Sequence, residues 1–505
     1  MTRVAPRAQH TDTPLHLDVA IIGAGPAGST AARQLASWGH SVALIGRKPR
    51  RPLAESLPPS CTKLFDRLGI RDAVDDAHFI RATGNTVQWA GQPKRIELFE
   101  PSVFGYQVSR DRFDEVLVAS ARHAGVAVID DAVVREVDRV TGEWLVRYDC
   151  GSESHAVRAP WLLDCTGRSG VIAKRGWRQS NGTARTTAIV GVWASDRPWP
   201  TDDDTHTLVE SYDGGWAWSV PVASGRRYVT VMLDPTVSDV PARSQLAEAY
   251  RAELERTRMI GSLIERAMLI DAPWGSDASP YTATEVASDG VLLVGDAASF
   301  VDPLSSFGVK KALASAWLAA VAVHTALVDS AMSAVALGFF SRREREMYEQ
   351  LQRQSVSLSR EAASAYDTEF WRGRSDGTVD EPPRELDERL LRTDVRISSA
   401  FEALKRRSSV RLRGSDSLRV IERPVVRGNR IVLDQHLVAR EMPNGARYFR
   451  NVDLVVVAQL APQFDQVPDL FEAYNAFTRS APPAPLPDFL GALSTLIGLD
   501  ALSLA

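Results

Sequence analysis

The chain of 505 residues is too long for one average domain and too short for four, which leaves two or three. Apolar residues at 44% and charged residues at 24% exclude a disordered or fibrous chain, and a net charge of −4 argues against nucleic acid as the main partner. Three cysteines, Cys61, Cys150 and Cys165, are too few for a disulfide framework and lack metal-ligand spacing, so a reducing, cytoplasmic setting is expected.

Residues 1–16 read as a flexible tail without the apolar stretch of a secretory signal. Asp18–Ile22 is a β-branched strand, followed by a glycine cluster, a helix over Ser29–Ser37 and a second strand over Ser41–Ile45. Phe113–Ala124 has helical spacing, and Val126–Ile129 and Trp161–Asp164 read as strands. Residues 85–99 and 186–235 are β-rich, with alternation clearest in Tyr228–Leu233. Gly290–Gly295 is a further buried strand, and a long helix follows Ser306. The apolar run between Lys311 and Asp329 carries Ser315, His324 and Thr325 and reads as a packed core helix, with no membrane span expected. Arg and Glu become frequent through residues 342–413, giving an exposed helical surface with a loop at 373–384. Strands are expected at 430–440 and 446–458, joined by Pro443-Asn444-Gly445, and an apolar helix at 488–504.

Gly23-Ala24-Gly25-Pro26-Ala27-Gly28 lies where the first strand gives way to the first helix. Gly23 permits the tight turn, Gly25 lets the backbone approach a pyrophosphate, and Gly28 permits close helix–strand packing. The helix N-terminus offers unpaired N–H groups to an anion, so a dinucleotide is expected against Gly23, Gly25, Ala27 and Gly28. The acidic residue that usually follows the second strand is absent; Gly46 and Arg47 stand there, and Arg47 is the candidate for the adenosine side.

Three further segments give the loop a family. Val294-Gly295-Asp296-Ala297-Ala298 resembles the distal Gly-Asp motif of FAD-dependent aromatic hydroxylases and flavin-dependent halogenases. Gln107-Val108-Ser109-Arg110, with Phe113, Asp114 and Leu117, resembles their middle motif, and Asp164-Cys165-Thr166-Gly167-Arg168 resembles their returning strand and turn. The resemblance covers residues 18 to about 330 and implies FAD, with Asp296 on a ribityl hydroxyl and Arg110 along the cofactor. It also implies a helix near Ser306 aimed at the flavin pyrimidine.

Trp216-Ala217-Trp218-Ser219-Val220-Pro221 and Phe300-Val301-Asp302-Pro303-Leu304-Ser305-Ser306-Phe307-Gly308 match the WxWxxP and FxxPxxSxG patterns of flavin-dependent halogenases. The resemblance places Pro303 and Gly308 at the cofactor. No lysine occurs between Lys63 and Lys94, where the family's halogen-delivering lysine should fall; Arg81, or in another register Ala82, occupies its place. A guanidinium does not substitute readily for that amine. Ser305 stands where tryptophan halogenases carry an assisting glutamate. The sequence is similar in this respect to LodB- and QhpG-like flavoproteins, which modify a peptidyl tryptophan.

The reading implied is an FAD monooxygenase acting on an indole-type aromatic, small or borne on a peptide or carrier, through a flavin C4a-hydroperoxide. Arg81, Trp216, Trp218 and Ser306 are the candidates for the substrate pocket, and His78 is a candidate base. No second nucleotide fingerprint follows, so a separate flavin reductase is expected as partner. The alternatives are a halogenase using Lys63 or Lys94, a reductase of the geranylgeranyl-reductase type, and a non-catalytic FAD-binding maturation protein. The fold class is α/β: a Rossmann-type FAD-binding domain (PHBH/GR2-like) over 17–80, 105–170 and 285–335. A β-sheet substrate domain would be inserted over 81–104 and 171–284, and a helical extension with a β-hairpin would occupy 336–505.

Overall fold

The computed structural model describes residues 14–47, 51, 53–180, 185–223, 225–236, 246–305, 307–376, 393–407, 409–479 and 483–504. Ser306 therefore lies outside the described residues. The chain forms two compact units, residues 1–379 and 380–505.

The first unit begins with β1 (Val19–Ile22), α1 (Pro26–Ser37) and β2 (Val42–Ile45). All residues of β1 and β2 are buried, giving a continuous apolar run rather than alternation, as expected for parallel strands covered on both faces. Pro26 opens α1 three residues before Ser29, because proline suits the first turn, where its missing N–H is no loss. Next come α2 (Arg110–His123), β3 (Ala127–Ile129), β4 (Trp161–Asp164), the tryptophan strand β5 (Gly215–Ala223), and β6 (Val291–Leu293). The Rossmann sheet has the order β6-β4-β1-β2-β3 with Ala287–Ser288 antiparallel at the β6 edge. Its other ladders are parallel, with Ile22 opposite both Asp164 and Ile45.

Leu15–His16, expected in the loose tail, instead pairs with Val157 and Arg158 at the edge of a four-stranded sheet. A strand pair satisfies backbone groups that composition alone does not foretell.

The inserted sheet has β5 at its centre between Arg226–Leu233 and Thr207–Tyr212, and it continues through Gly84–Gln88 to the exposed edge Arg95–Leu98. After β6 come α3 (Gly308–Val328) and α4 (Ser333–Ala365). α3 has the length and apolarity of a membrane span, but 72% of its most apolar window is buried within the fold, against α1 and α4.

The division expected at residue 336 falls later. α4 and the helix Glu369–Ser375 belong to the first unit, where Ala362, Phe370 and Trp371 share a cluster with Trp89 and Trp216. Trp371 is fully buried, and its Nε1 donates to the Tyr212 carbonyl at 2.8 Å.

In the second unit, strand Arg430–Ala439 pairs with Arg419–Arg427 before it, through a turn at Gly428 and Asn429. The expected joining segment Pro443-Asn444-Gly445 is itself part of strand Met442–Ala446, paired with Arg430–Ala439, and the strand expected over 446–458 gives way to Tyr448–Phe449, Val452–Asp453 and then helix Leu454–Leu460. Asp453 explains this: its carboxylate caps the helix by accepting from the Val455 and Val456 amides, overriding the β-branched run. The apolar C-terminus forms helix Leu486–Gly498 and then strand Leu502–Leu504, which pairs with Leu412–Gly414.

Candidate functional site: a flavin cavity

Between β1, β2, β4 and α3 lies a cavity of about 700 Å³, lined among others by Gly23, Gly25, Ala27, Arg47, Arg110, Asp296, Pro303 and Gly308. Gly28 is not at its surface. A Cβ there would fall 1.8 Å from the Gly23 carbonyl oxygen and 3.2 Å from Cys165 Cβ, so Gly28 serves the packing beneath the loop. Gly23 has φ +106°, and a Cβ on it would meet the Cys165 carbonyl oxygen at 2.3 Å. The turn is thus open to glycine alone, and it brings the N-terminal end of α1 to the cavity as a place for an anion.

Arg110, at the start of α2, donates from Nε and Nη2 to the two Asp114 oxygens at 2.9 and 3.1 Å, and its Nη1 is 3.5 Å from Glu55. Glu55 and Asp114 also line the cavity. Burial raises both carboxyls above the usual carboxylate range, and the Arg110 guanidinium offsets part of that rise. The sequence reading missed Glu55, because it belongs to a short strand, Ala54–Leu57, with no motif around it. Arg47 lines the rim and is exposed.

On the opposite wall, Asp296 has its carboxylate 3.6 Å from Lys311 Nζ. Lys311 is buried, and its ammonium donates to the Gly295 carbonyl at 3.0 Å and to that of Ser299. α3 begins at Gly308, and Gly308 and Val309 line the cavity, so the positive end of the helix faces it. Asp164, at the end of β4, is buried and accepts from the Thr166 amide and hydroxyl and from the Ile172 and Ala173 amides, fixing the turn that carries Cys165 and Thr166 to the cavity.

The aromatic side is held by Phe300, which lines the cavity, stacks on Tyr281 with ring centroids 5.9 Å apart, and lies under the Arg168 guanidinium. Tyr281 in turn donates its hydroxyl to the Asp296 carbonyl at 2.6 Å. Behind Phe300 and Leu304, Trp216 and Trp218 stack at 4.7 Å on one face of β5. Neither ring lines the cavity; Trp216 belongs to the buried cluster against which Trp218 and Phe300 both pack. The Trp216 Nε1 is buried without a hydrogen-bond partner.

Arg81 is not at the cavity. Its neighbours Ile80 and Ala82 turn inward to different degrees, whereas the Arg81 side chain is 56% exposed, paired with Asp75 at 3.1 Å and stacked over Phe104. His78 is exposed in a turn with φ +54°, away from the cavity lining. Lys63 is exposed, and Lys94 is exposed and paired with Asp202. Among the described residues no group of metal-ligating side chains occurs, and the three cysteines are free.

A turn closed to any Cβ at Gly23, a helix terminus aimed at an anion, and a cavity of small-molecule size define a dinucleotide site. The chain belongs to the FAD-binding domain family, whose sequence profile matches residues 16–353, and FAD is its cofactor. It is a member of the superfamily that holds the flavin-dependent halogenases and aromatic monooxygenases. It is 27% identical over 341 residues to a tryptophan 2-halogenase of Chondromyces crocatus, covering 65% of each chain, and so spans less than two thirds of that protein. It is 27% identical over 347 residues to a 1H-pyrrole-2-carbonyl peptidyl-carrier-protein chlorinase of Pseudomonas fluorescens, covering 60% of this chain and 74% of that one. By structure it is similar to the flavin-dependent halogenase CmlS, with TM-score 0.73, 24% identity, and 98% and 96% of the two chains covered. It is similar also to the peptidyl tryptophan dihydroxylase QhpG, with TM-score 0.70, 23% identity, and 93% and 100% covered.

Proposed function

We propose that the protein is an FAD-dependent monooxygenase that hydroxylates an electron-rich, indole-type aromatic group, free or carried on a peptide or carrier protein. The supporting observation is the state of its lysines. Among the described residues, Lys311 is the lysine that lines the flavin cavity, and its ammonium is tied to two carbonyls and to Asp296. A residue that hands a halogen to an arene needs a free amine at the substrate, and neither Lys63 nor Lys94 lines the cavity. The similarity to a peptidyl tryptophan dihydroxylase adds to this reading.

The chemistry supplied by the bound cofactor is two-electron activation of dioxygen. The residues of the chain bind and shield. Gly23 and Gly25 would hold the pyrophosphate, Asp296 a ribityl hydroxyl, and the Gly308 end of α3 would offset negative charge on the ring. Phe300 and the stacked Trp216–Trp218 pair behind it would give the reacting side an apolar wall that excludes water. A separate flavin reductase is proposed as the electron source.

The second reading, a halogenase, is favoured by the names of the sequence relatives. Turnover with chemically reduced FAD in air, on free indoles and on tryptophan-bearing peptides, with and without chloride or bromide, separates the two. A halide-independent gain of one or two oxygen atoms by intact mass is expected. A product that requires halide and carries its isotope pattern refutes the hydroxylase reading.

A further inference from the structure

A second cavity, of about 130 Å³, lies beside the Ser299 segment and α4. Ser299 and Glu344 line it deep in the fold, and exposed Thr284, Glu285 and Arg345 line it towards solvent. Glu344 is 2% exposed, and neither of its carboxyl oxygens makes a hydrogen bond of ordinary length, the Ser315 hydroxyl being the hydrogen-bonding influence on it. The Ser299 hydroxyl on the same cavity has no partner. Three buried polar atoms short of partners around one polar cavity suit it to hold water.

Lys311 links this cavity to the larger one. It lines the flavin cavity, donates to the Ser299 carbonyl, lies 3.6 Å from Asp296, and its charge acts on Glu344. Ser315, one turn further along α3, accepts from the Gly295 amide at 2.8 Å and acts on the same carboxyl.

We propose that Glu344 is a proton-exchanging site, hydrated through the small cavity, that binds a proton from solvent when negative charge arrives at the flavin and returns it when that charge leaves. The coupling is electrostatic. Lys311 is shared between the Glu344 carboxylate and the flavin cavity, so an added negative charge in that cavity weakens its hold on the carboxylate. The two electrons come from an external donor, dithionite in the test below. The proton comes from water at the rim and ends on a Glu344 oxygen, and no bond to the cofactor forms. The charged groups facing Glu344 are Lys311 from α3, Glu285 across the cavity mouth and Arg345 on α4 itself, with Asp296 acting through Lys311. Burial already pushes the Glu344 carboxyl up to about 7, which puts the exchange in the neutral range.

The proposal rests on FAD occupying the larger cavity and is independent of the choice between hydroxylation and halogenation. Its test reduces the FAD-loaded full-length protein anaerobically with stoichiometric dithionite in weakly buffered solution, reading proton uptake per flavin with an indicator dye. Wild type and Glu344→Gln are compared over about pH 5 to 9, so that protons released by the donor cancel. Wild type is expected to take up several tenths of a proton more per flavin near neutrality, with the difference fading about two pH units to either side. Equal uptake at every pH, with flavin absorbance retained by both proteins, overturns the proposal. If Glu344→Gln does not fold, Glu344→Asp is compared instead, and an uptake curve unmoved in pH overturns it equally. Failure of wild type itself to retain flavin would be a failure of the FAD assignment, and it is visible before any proton is counted.

Discussion

Replacing Gly23 by alanine tests the cofactor cradle most directly. The residue sits at φ +106°, and holding an L-residue in such a conformation costs about 1–2 kcal/mol. Its new Cβ would lie 2.3 Å from the Cys165 carbonyl oxygen, 2.6 Å from the carbonyl carbon and 2.9 Å from the Thr166 nitrogen. All three are backbone atoms that no rotamer change can move, so a further ~1–3 kcal/mol of overpacking applies. The total of about 2–5 kcal/mol divides between fold stability and FAD binding. If all of it falls on binding, affinity drops between about 30-fold and several thousandfold. Gly125→Ala is the control: its φ is +91°, but no atom lies within 4 Å of the added carbon, so only the conformational cost remains. The assay is FAD fluorescence quenching on apo-protein, with thermal melts alongside. Equal effects of the two substitutions on FAD affinity and melting temperature would refute the claim that contact with the β4 turn defines the cradle.

Arg110→Met should weaken FAD binding by at least tenfold and destabilise the apo-protein by about 2–4 kcal/mol, because Glu55 and Asp114 lose their shared cation; isothermal titration and urea unfolding check both. Glu344→Gln should change the pH dependence of stability. Burial raises the folded carboxyl to about 7 from its ordinary 4.5, so wild type loses stability as pH rises through that window, by up to about 3 kcal/mol. The variant should melt higher than wild type above pH 7 and show a flatter profile, and parallel melting curves across that range would contradict this. Arg81→Ala should leave FAD affinity unchanged and cost less than about 1 kcal/mol, since it removes an exposed ion pair; a large loss of affinity would return Arg81 to the site.

The glycine loop, the Gly-Asp segment and the Asp164 turn were legible because their chemistry depends on neighbours in the chain: a strand, a turn and a helix in fixed order. The substrate side was less so. Arg81 stands where the family's lysine falls along the chain, but position along a strand does not reveal which side a residue leaves from. Ala82 is buried while the Arg81 side chain meets solvent and Asp75. Glu55, Lys311 and Glu344 carry no local signature. Lys311 follows Lys310, and Glu344 stands inside the charged run Arg342–Glu346, so their chain neighbours read as solvated surface, and the burial that sets them apart comes from segments far away in the chain. The misread strand over 446–458 has a different cause. Val455, Val456 and Val457 favour a strand by type, and the Asp453 cap outweighs them.

The flavin cavity is assembled from pieces scattered over more than three hundred positions, from Ile22 through Cys165 to Leu351. The crucial contact at its base, the Gly23 turn against the Cys165 carbonyl, joins parts of the polypeptide made far apart in time. A growing chain that has emerged only as far as β4 owns the phosphate cradle but lacks the wall bearing Asp296 and Lys311. The vitamin-derived prosthetic group is therefore a reporter of completion: yellow colour marks those molecules in which synthesis has passed Leu351 of α4 and both walls of the cavity have met.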